Sequence, residues 1–414
     1  MSHKIFSNDK VRQATILYLS SLISVLLGVG TSVLNTSFLT PEYYGDVRYI
    51  NNIISFIGSL LLLGFFTSGC RLLALSKNEQ NSKRIKGAMI VILIITIFVM
   101  SLAMIICYYI HLRYLNYQVA SLFLTAIPIC SAPLLQNYAN TVFQGDNSII
   151  KLSLGRILPS FIYLFLAYYI YKNFQASSQL MILLQNGCIV FVFVILIILT
   201  TPSFRNLKTS FNELKKENKV YGFYVYIGSV VGVSLNYLAG ITLGVFGENN
   251  VNVGIFTLAA TLVTPLAMLP TVVGTTYYKK FANQNFIEKK VLITTLIISF
   301  ISLLLFAIFI TPLVSVLYNE SYIDVARIAI YLAVGTTLHG IGDLFNRFLG
   351  SHGLGKQLRN GAFVCGGVML VGYIILVYYC GITGAIITKI GASSAYCFSM
   401  VYYYKRYRNS VKDI

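Results

Sequence analysis

The sequence predicts an all-α polytopic membrane protein, with about twelve transmembrane helices in two six-helix bundles related by pseudo-two-fold symmetry. Three observations carry this. Of 414 residues, 57% are hydrophobic and 11% charged, and the mean hydropathy of +0.75 is incompatible with a water-solvated surface. Runs such as Ala88–Ile110, Met181–Thr200 and Val291–Leu317 reach or exceed the ~20 apolar residues that cross a hydrocarbon core as a helix, whereas a strand needs only ~10. Gly45 and Gly254, Arg71 and Lys280, and Asn137 and Asn346 each stand 209 positions apart, the mark of an internal repeat.

The first span, 14–39, follows Lys4, Lys10 and Arg12 and has no small-residue cleavage site, so it is expected to remain uncleaved. Further spans are expected at 45–70, 88–110, 119–143, 154–171 and 179–200, which complete an N-terminal bundle over 1–200. A basic linker, 201–220, precedes spans at 221–246, 253–278, 291–316, 325–349, 361–380 and 382–403, the C-terminal bundle over 221–414. With this arrangement, 26 of the 31 Lys and Arg residues fall on the side of the two termini. The positive-inside rule then places both termini in the cytoplasm. Six spans per half make the repeats parallel, about an axis along the membrane normal.

The same distribution disposes of other classes. The net charge of +18 is spent on topology and anionic lipid contact, which removes the case for nucleic acid. Seven cysteines lie in or beside apolar runs without a CxxC pair and read as small buried hydrophobes. Tyrosines, 30 against no tryptophan, supply the interfacial belt. The stretch Gly350 to Gln357 imitates a phosphate-binding loop, but Gln357 replaces the magnesium-binding hydroxyl and no strand precedes it, so no ATPase is implied. His3, His111 and His352 read as solvated and lack metal-ligand spacing; neither a metal nor a cofactor is expected.

Polar residues inside the spans are the candidate site. Arg48, Asn52, Ser55 and Ser59 share one stripe of the second span, and Gln136, Asn140 and Gln144 share one of the fourth, with Asn137 beside them. Such stripes suit sugar hydroxyls, or equally bonds between helices. Asn35 and Asn236 read as helix-packing residues. Arg71 and Lys280 mark inner helix ends, as topological anchors or as cations of a gate. Lys389 lies some seven residues into the last span, about 10 Å deep by helix rise, as a cavity cation or as the ion-pair partner of Asp343. His339 and Asp343 are candidates for coupling transport to a proton gradient, against a bland pairing of Asp343 with Arg347.

Several segments also carry a resemblance: Leu39-Thr40-Pro41-Glu42-Tyr43-Tyr44-Gly45, Gly69-Cys70-Arg71, Asn319-Glu320-Ser321-Tyr322, Gly353-Leu354-Gly355-Lys356 with Arg359-Asn360, and Gly381-Ile382-Thr383-Gly384-Ala385-Ile386. In this order they resemble the polysaccharide-export branch of the MATE-like flippase superfamily, most of all the Wzx-type O-antigen flippases. The resemblance implies a MATE-like fold in a bacterial inner membrane. It implies movement of an undecaprenyl-diphosphate-linked oligosaccharide from the inner to the outer leaflet, with a polymerase and a chain-length regulator of the same pathway as expected partners. The alternative is a cation-coupled exporter of drugs or small metabolites, which would favour intramembrane acids. A membrane enzyme on the same lipid carrier would need a large outer loop, and every outer loop here is short.

Overall fold

Every long apolar run folds as a helix in the computed structural model, which describes residues 9–76, 78–115 and 117–412. Lys4, Lys77 and His3 lie outside the described residues. No strand occurs among them. A lipid environment offers no water to the backbone, so each segment must close its own hydrogen bonds.

The helices run in order as α1 (Asp9–Phe38), α2 (Pro41–Leu61), α3 (Phe65–Leu75), α4 (Glu79–Tyr114), α5 (Tyr117–Ala126), α6 (Ala132–Gly145), α7 (Ile149–Asn173) and α8 (Ser178–Ile198). They continue as α9 (Leu207–Glu217), α10 (Phe223–Val233), α11 (Leu238–Phe246), α12 (Val251–Thr276), α13 (Tyr278–Phe281), α14 (Lys289–Leu317), α15 (Asp324–Ser351) and α16 (Gly355–Lys412). Ten stretches among the described residues are long and apolar enough to cross a membrane. The bent pair α2 and α3 adds an eleventh. The α16 run is itself interrupted by non-helical backbone at Gly381 (φ 52°, ψ −132°), which divides it into two helices each of crossing length.

Several expected straight spans are broken. The second bends by 59° between α2 and α3, where Leu63 (φ 46°) and Gly64 (φ 81°) take left-handed backbone. The break strips carbonyls of their helical donors. Tyr226 Oη donates to the Leu60 carbonyl at 2.7 Å and Asn218 Nδ2 to that of Leu63 at 3.1 Å. A 3₁₀ turn at Ile127–Ile129, carrying Pro128, divides the fourth span. The seventh is divided by a 3₁₀ turn at Ser234–Tyr237. The linker is largely helical through α9 and a π-helical turn, Asn218–Gly222.

Contacts sort the chain into two compact units. The first holds the described residues up to Leu39 together with Ile50–Val230; the second holds Thr40–Tyr49 and the chain from Val231. In the first, α1 packs chiefly on α7, α7 on α8, and α3 on α6. In the second, α12 packs on α15 and α15 on α16, forming its centre. The first turns of α2 also belong here: a Cβ on Gly45 would lie 1.8 Å from the Asn250 carbonyl oxygen, so only glycine fits this close approach. The glycines at the 209-residue offset, Gly45 and Gly254, thus pack against one another.

Candidate functional site

The second unit contains a cavity of about 300 Å³ whose polar wall is formed by Asn236, Thr264, Thr336, His339, Tyr373 and Lys389. Each comes from a different stretch of chain for a structural reason. The 3₁₀ turn that interrupts the seventh span presents Asn236. Helix α12 contributes Thr264, α15 contributes Thr336 and His339, and α16 contributes Tyr373 before Gly381 and Lys389 after it. The remaining wall is apolar, from residues such as Phe256, Val263 and Leu332.

Lys389 is the charged residue of this wall. Its ammonium donates to Asn236 Oδ1 at 3.1 Å, and no carboxylate forms an ion pair with it among the described residues. An ammonium carries three donors, so donors remain for a ligand. Asn236, expected as a packing residue, is therefore the tether of the intramembrane cation. The expected alternative pairing of Lys389 with Asp343 does not occur.

Asp343 is occupied elsewhere. Tyr396 Oη donates to Oδ1 at 2.9 Å, and Thr271 Oγ1 lies 3.2 Å from Oδ2 while also in reach of the Ala267 carbonyl at 2.9 Å. The expected pairing of Asp343 with Arg347 is likewise absent: two neutral hydroxyls from α12 and α16 satisfy the carboxylate, and Arg347 is exposed. The Tyr396 ring stacks on that of His339, with centroids 4.5 Å apart and planes 20° apart. His339 Nδ1 is buried and without a hydrogen-bond partner.

The other sequence candidates are dispersed. Arg48 lies with the second unit and Asn52 with the first, so the second-span stripe is divided between them. The Arg48 guanidinium stands over the Tyr44 ring, 4.7 Å from its centroid, with Nε buried and unbonded. Gln136 and Gln144 are exposed and Asn140 is half-buried, its Oδ1 without a partner. Arg71 pairs with Glu217 and covers the Tyr221 ring. Lys280 pairs with Glu288 at 2.8 Å. Asn35 is fully buried and accepts from Tyr163 Oη, tying α1 to α7.

Three expectations need correction. His111 is buried in α4, its Nδ1 in hydrogen-bond contact with the Cys107 carbonyl at 2.8 Å, because the helix runs past the expected end of the third span. His352 is half-buried between the carbonyls of Phe348 and Gln284 rather than solvated. Cys380 is exposed, unlike the other cysteines. Residues that sequence reasoning missed include the nearly buried pair Lys86 and Asp146, and the amide chain in which Asn186 donates to Asn51 at 2.9 Å and Asn51 to Gln185 at 3.4 Å. Lys86 is one of the 26 Lys and Arg residues on the side of the termini, just before the run Ala88–Ile110, and nothing local marks its burial. No cluster of metal-ligating side chains occurs among the described residues.

Fold and cavity together define a multi-pass membrane protein of the MATE-like type. Residues 11–278 match the family described as polysaccharide biosynthesis protein, and the chain belongs to that family. An uncharacterized membrane protein of Methanocaldococcus jannaschii is 26% identical over 267 residues, covering 60% of this chain and 52% of that protein, so the match spans about half the length of this curated relative. The fold is similar to that of the lipid II flippase MurJ in an inward closed conformation (TM-score 0.74, 14% identity, 94% of this chain and 87% of that one). An inward-facing multidrug resistance MATE family transporter of the MOP superfamily is also similar (TM-score 0.72, 15% identity, 94% and 96%). So is a MOP superfamily transporter from Pyrococcus furiosus described as having a binding pocket of reverse polarity (TM-score 0.56, 13% identity, 97% and 96%).

Proposed function

We propose that the chain is a flippase, not an enzyme, that moves an undecaprenyl-diphosphate-linked oligosaccharide of the O-antigen type from the cytoplasmic to the periplasmic leaflet of a bacterial inner membrane. The observation that carries this reading is the unpaired Lys389 ammonium in an intramembrane cavity. A charge at the bilayer centre costs about 2.5–3.5 kcal/mol on insertion scales, and it is retained where an opposite charge visits. The diphosphate supplies that charge. A cationic drug would meet the wrong sign here, and the nearby carboxylate, Asp343, is already bonded to two hydroxyls. Membership of a polysaccharide biosynthesis family and likeness to a lipid II flippase support the same reading.

In this scheme 1–200 and 221–414 act as two bundles joined by the 201–220 linker and alternate access, with both termini cytoplasmic. Lys389 is the cation that meets the diphosphate in the cavity and Arg48 a second one on its route, while Arg71 and Lys280 join them only where their pairs with Glu217 and Glu288 open. Asn52, Gln136 and Asn140 offer amides to the glycan, and His339 and Asp343 are the groups through which a proton gradient would act. Polymerase and chain-length regulator follow in the same pathway. The test is complementation of a flippase-null strain with matching glycan, reading surface glycan against accumulated lipid-linked units. Rescue by the native chain and loss of rescue with Lys389→Met are expected; failure of the native chain to rescue would sink the reading.

A further inference from the structure

The arrangement around Asp343 answers a question that the lysine raises: why the nearby carboxylate does not neutralise it. Asp343 stands one helical turn after His339 on α15, the spacing at which side chains meet, and His339 Nδ1 has no partner. Both Asp343 and Lys389 lie close enough to act on His339 electrostatically. Yet the carboxylate is turned to Tyr396 and Thr271. Tyr396 is 6% exposed and performs two tasks with one side chain, its hydroxyl holding Asp343 and its ring face covering His339.

We propose that Tyr396 is a positioning residue that sets the sign of the cavity: by holding Asp343 away from His339 it leaves Lys389 as an uncompensated cation, which selects diphosphate-bearing ligands. This rests on the reading of Lys389 as the cation that meets an anionic headgroup. Without the hydroxyl, Asp343 keeps only the shared hydroxyl of Thr271. It then turns to the free His339 Nδ1, brings a negative charge to the cavity wall and lowers the potential at Lys389. The titratable and charged groups facing His339 are then Asp343 from its own helix and Lys389 and Tyr396 from α16.

The test is equilibrium binding of radiolabelled geranyl diphosphate and, separately, inorganic pyrophosphate to the purified full-length chain in detergent, with geraniol as the uncharged control. Tyr396→Phe keeps the ring and removes the hydroxyl. Affinity for the diphosphate is expected to weaken by about tenfold, the change that about 1.4 kcal/mol produces. Adding Asp343→Asn to Tyr396→Phe is expected to restore it, which a merely structural loss would not do. Should Tyr396→Phe fail to fold, Thr271→Val removes the second, shared donor and gives a smaller loss with the same rescue. Loss and rescue with pyrophosphate assign the site to the free anion; the same pattern with geranyl diphosphate alone assigns it to a prenyl-linked headgroup; either supports the proposal. Undiminished affinity in Tyr396→Phe, or a loss that Asp343→Asn does not repair, overturns it while leaving the role of Lys389 intact. Full affinity in Lys389→Met overturns the role of Lys389, and this inference with it.

Discussion

The two units treat buried charge in opposite ways. In the first, Lys86 and Asp146, with side chains only 10% and 22% exposed, neutralise each other, and Tyr138 Oη donates to the Lys86 carbonyl at 3.2 Å beside them. In the second, among the described residues, Lys389 bonds an amide oxygen without an ion-pair partner, and Asp343 bonds two hydroxyls. A matched pair offsets its own desolvation within the fold. An unmatched ammonium on a cavity wall is offset only when a ligand arrives. Charge in the first unit is thus read as architecture and charge in the second as a site.

The largest expected effect tests the first half of that contrast. Asp146→Asn leaves Lys86 buried without a counter-charge and should destabilise the protein by about 3 kcal/mol, the usual outcome of breaking a buried pair from one side. Unfolding in a detergent and denaturant series measures it, and a change within error would remove the pair from the architecture. Lys389→Met should do the reverse. Stability should hold or rise, because an uncompensated charge leaves the membrane. Affinity for a diphosphate headgroup should fall about thirtyfold, or about 2 kcal/mol, as when one partner of a desolvated charge pair is truncated. If Lys389→Met instead unfolds the protein, the lysine is structural and the contrast between the units collapses.

A third substitution separates scaffold from site within the second unit. Gly45→Ala places a methyl 1.8 Å from the Asn250 carbonyl oxygen, with backbone on the other side of the clash, and should cost about 1.5 kcal/mol through overpacking. Asp46 accepts from Asn250 Nδ2 at 2.7 Å in the same corner, so the shift should also loosen that bond. Binding of the diphosphate probe is expected to survive in whatever fraction stays folded. A thermal melt alongside a binding isotherm distinguishes the two outcomes.

What was legible in the sequence follows from which physics is local. Hydropathy over twenty residues is local, and it placed the spans. Lys389 was visible for the same reason, as a charge inside an apolar run. The break after α2 was not: Leu60-Leu61-Leu62-Leu63-Gly64-Phe65 reads as continuous apolar helix, and what stabilises the bend is Asn218 and Tyr226, more than 150 positions away. Asn236 was read as packing because the turn that aims it at Lys389 has no proline to announce it. Asp343 was offered two cationic partners, Arg347 by spacing and Lys389 as the other charge deep within a span. Neither won, since the hydroxyls of Tyr396 and Thr271 come from other helices and solvate a carboxylate without a second buried charge. The Lys86 and Asp146 pair joins residues 60 positions apart, beyond any periodicity rule.

The smallest effect is expected where charge is paired in the open. Lys280 and Glu288 lie 2.8 Å apart with side chains 49% and 39% exposed, outside the spans. The ammonium of Lys280, helped by Gln284, holds the Glu288 carboxyl below its usual range, and the carboxylate in turn holds the Lys280 ammonium above its own. The signs follow by linkage. A carboxyl depressed in the folded state contributes stability above its unfolded value and loses it as pH falls through the depressed one. A raised lysine contributes below its unfolded value and loses it as pH rises through the raised one. The contribution is therefore present across the neutral range and fades at both acidic and strongly alkaline pH. Water screens this pair, and such surface bridges rarely register in stability. Glu288→Gln should accordingly leave unfolding near neutral pH almost unchanged at physiological salt, with any difference from the native chain growing at low ionic strength. A loss as large as that of Asp146→Asn would mean that exposure does not govern what a charge pair contributes here, and the line drawn between the two units would have to be redrawn around Lys280.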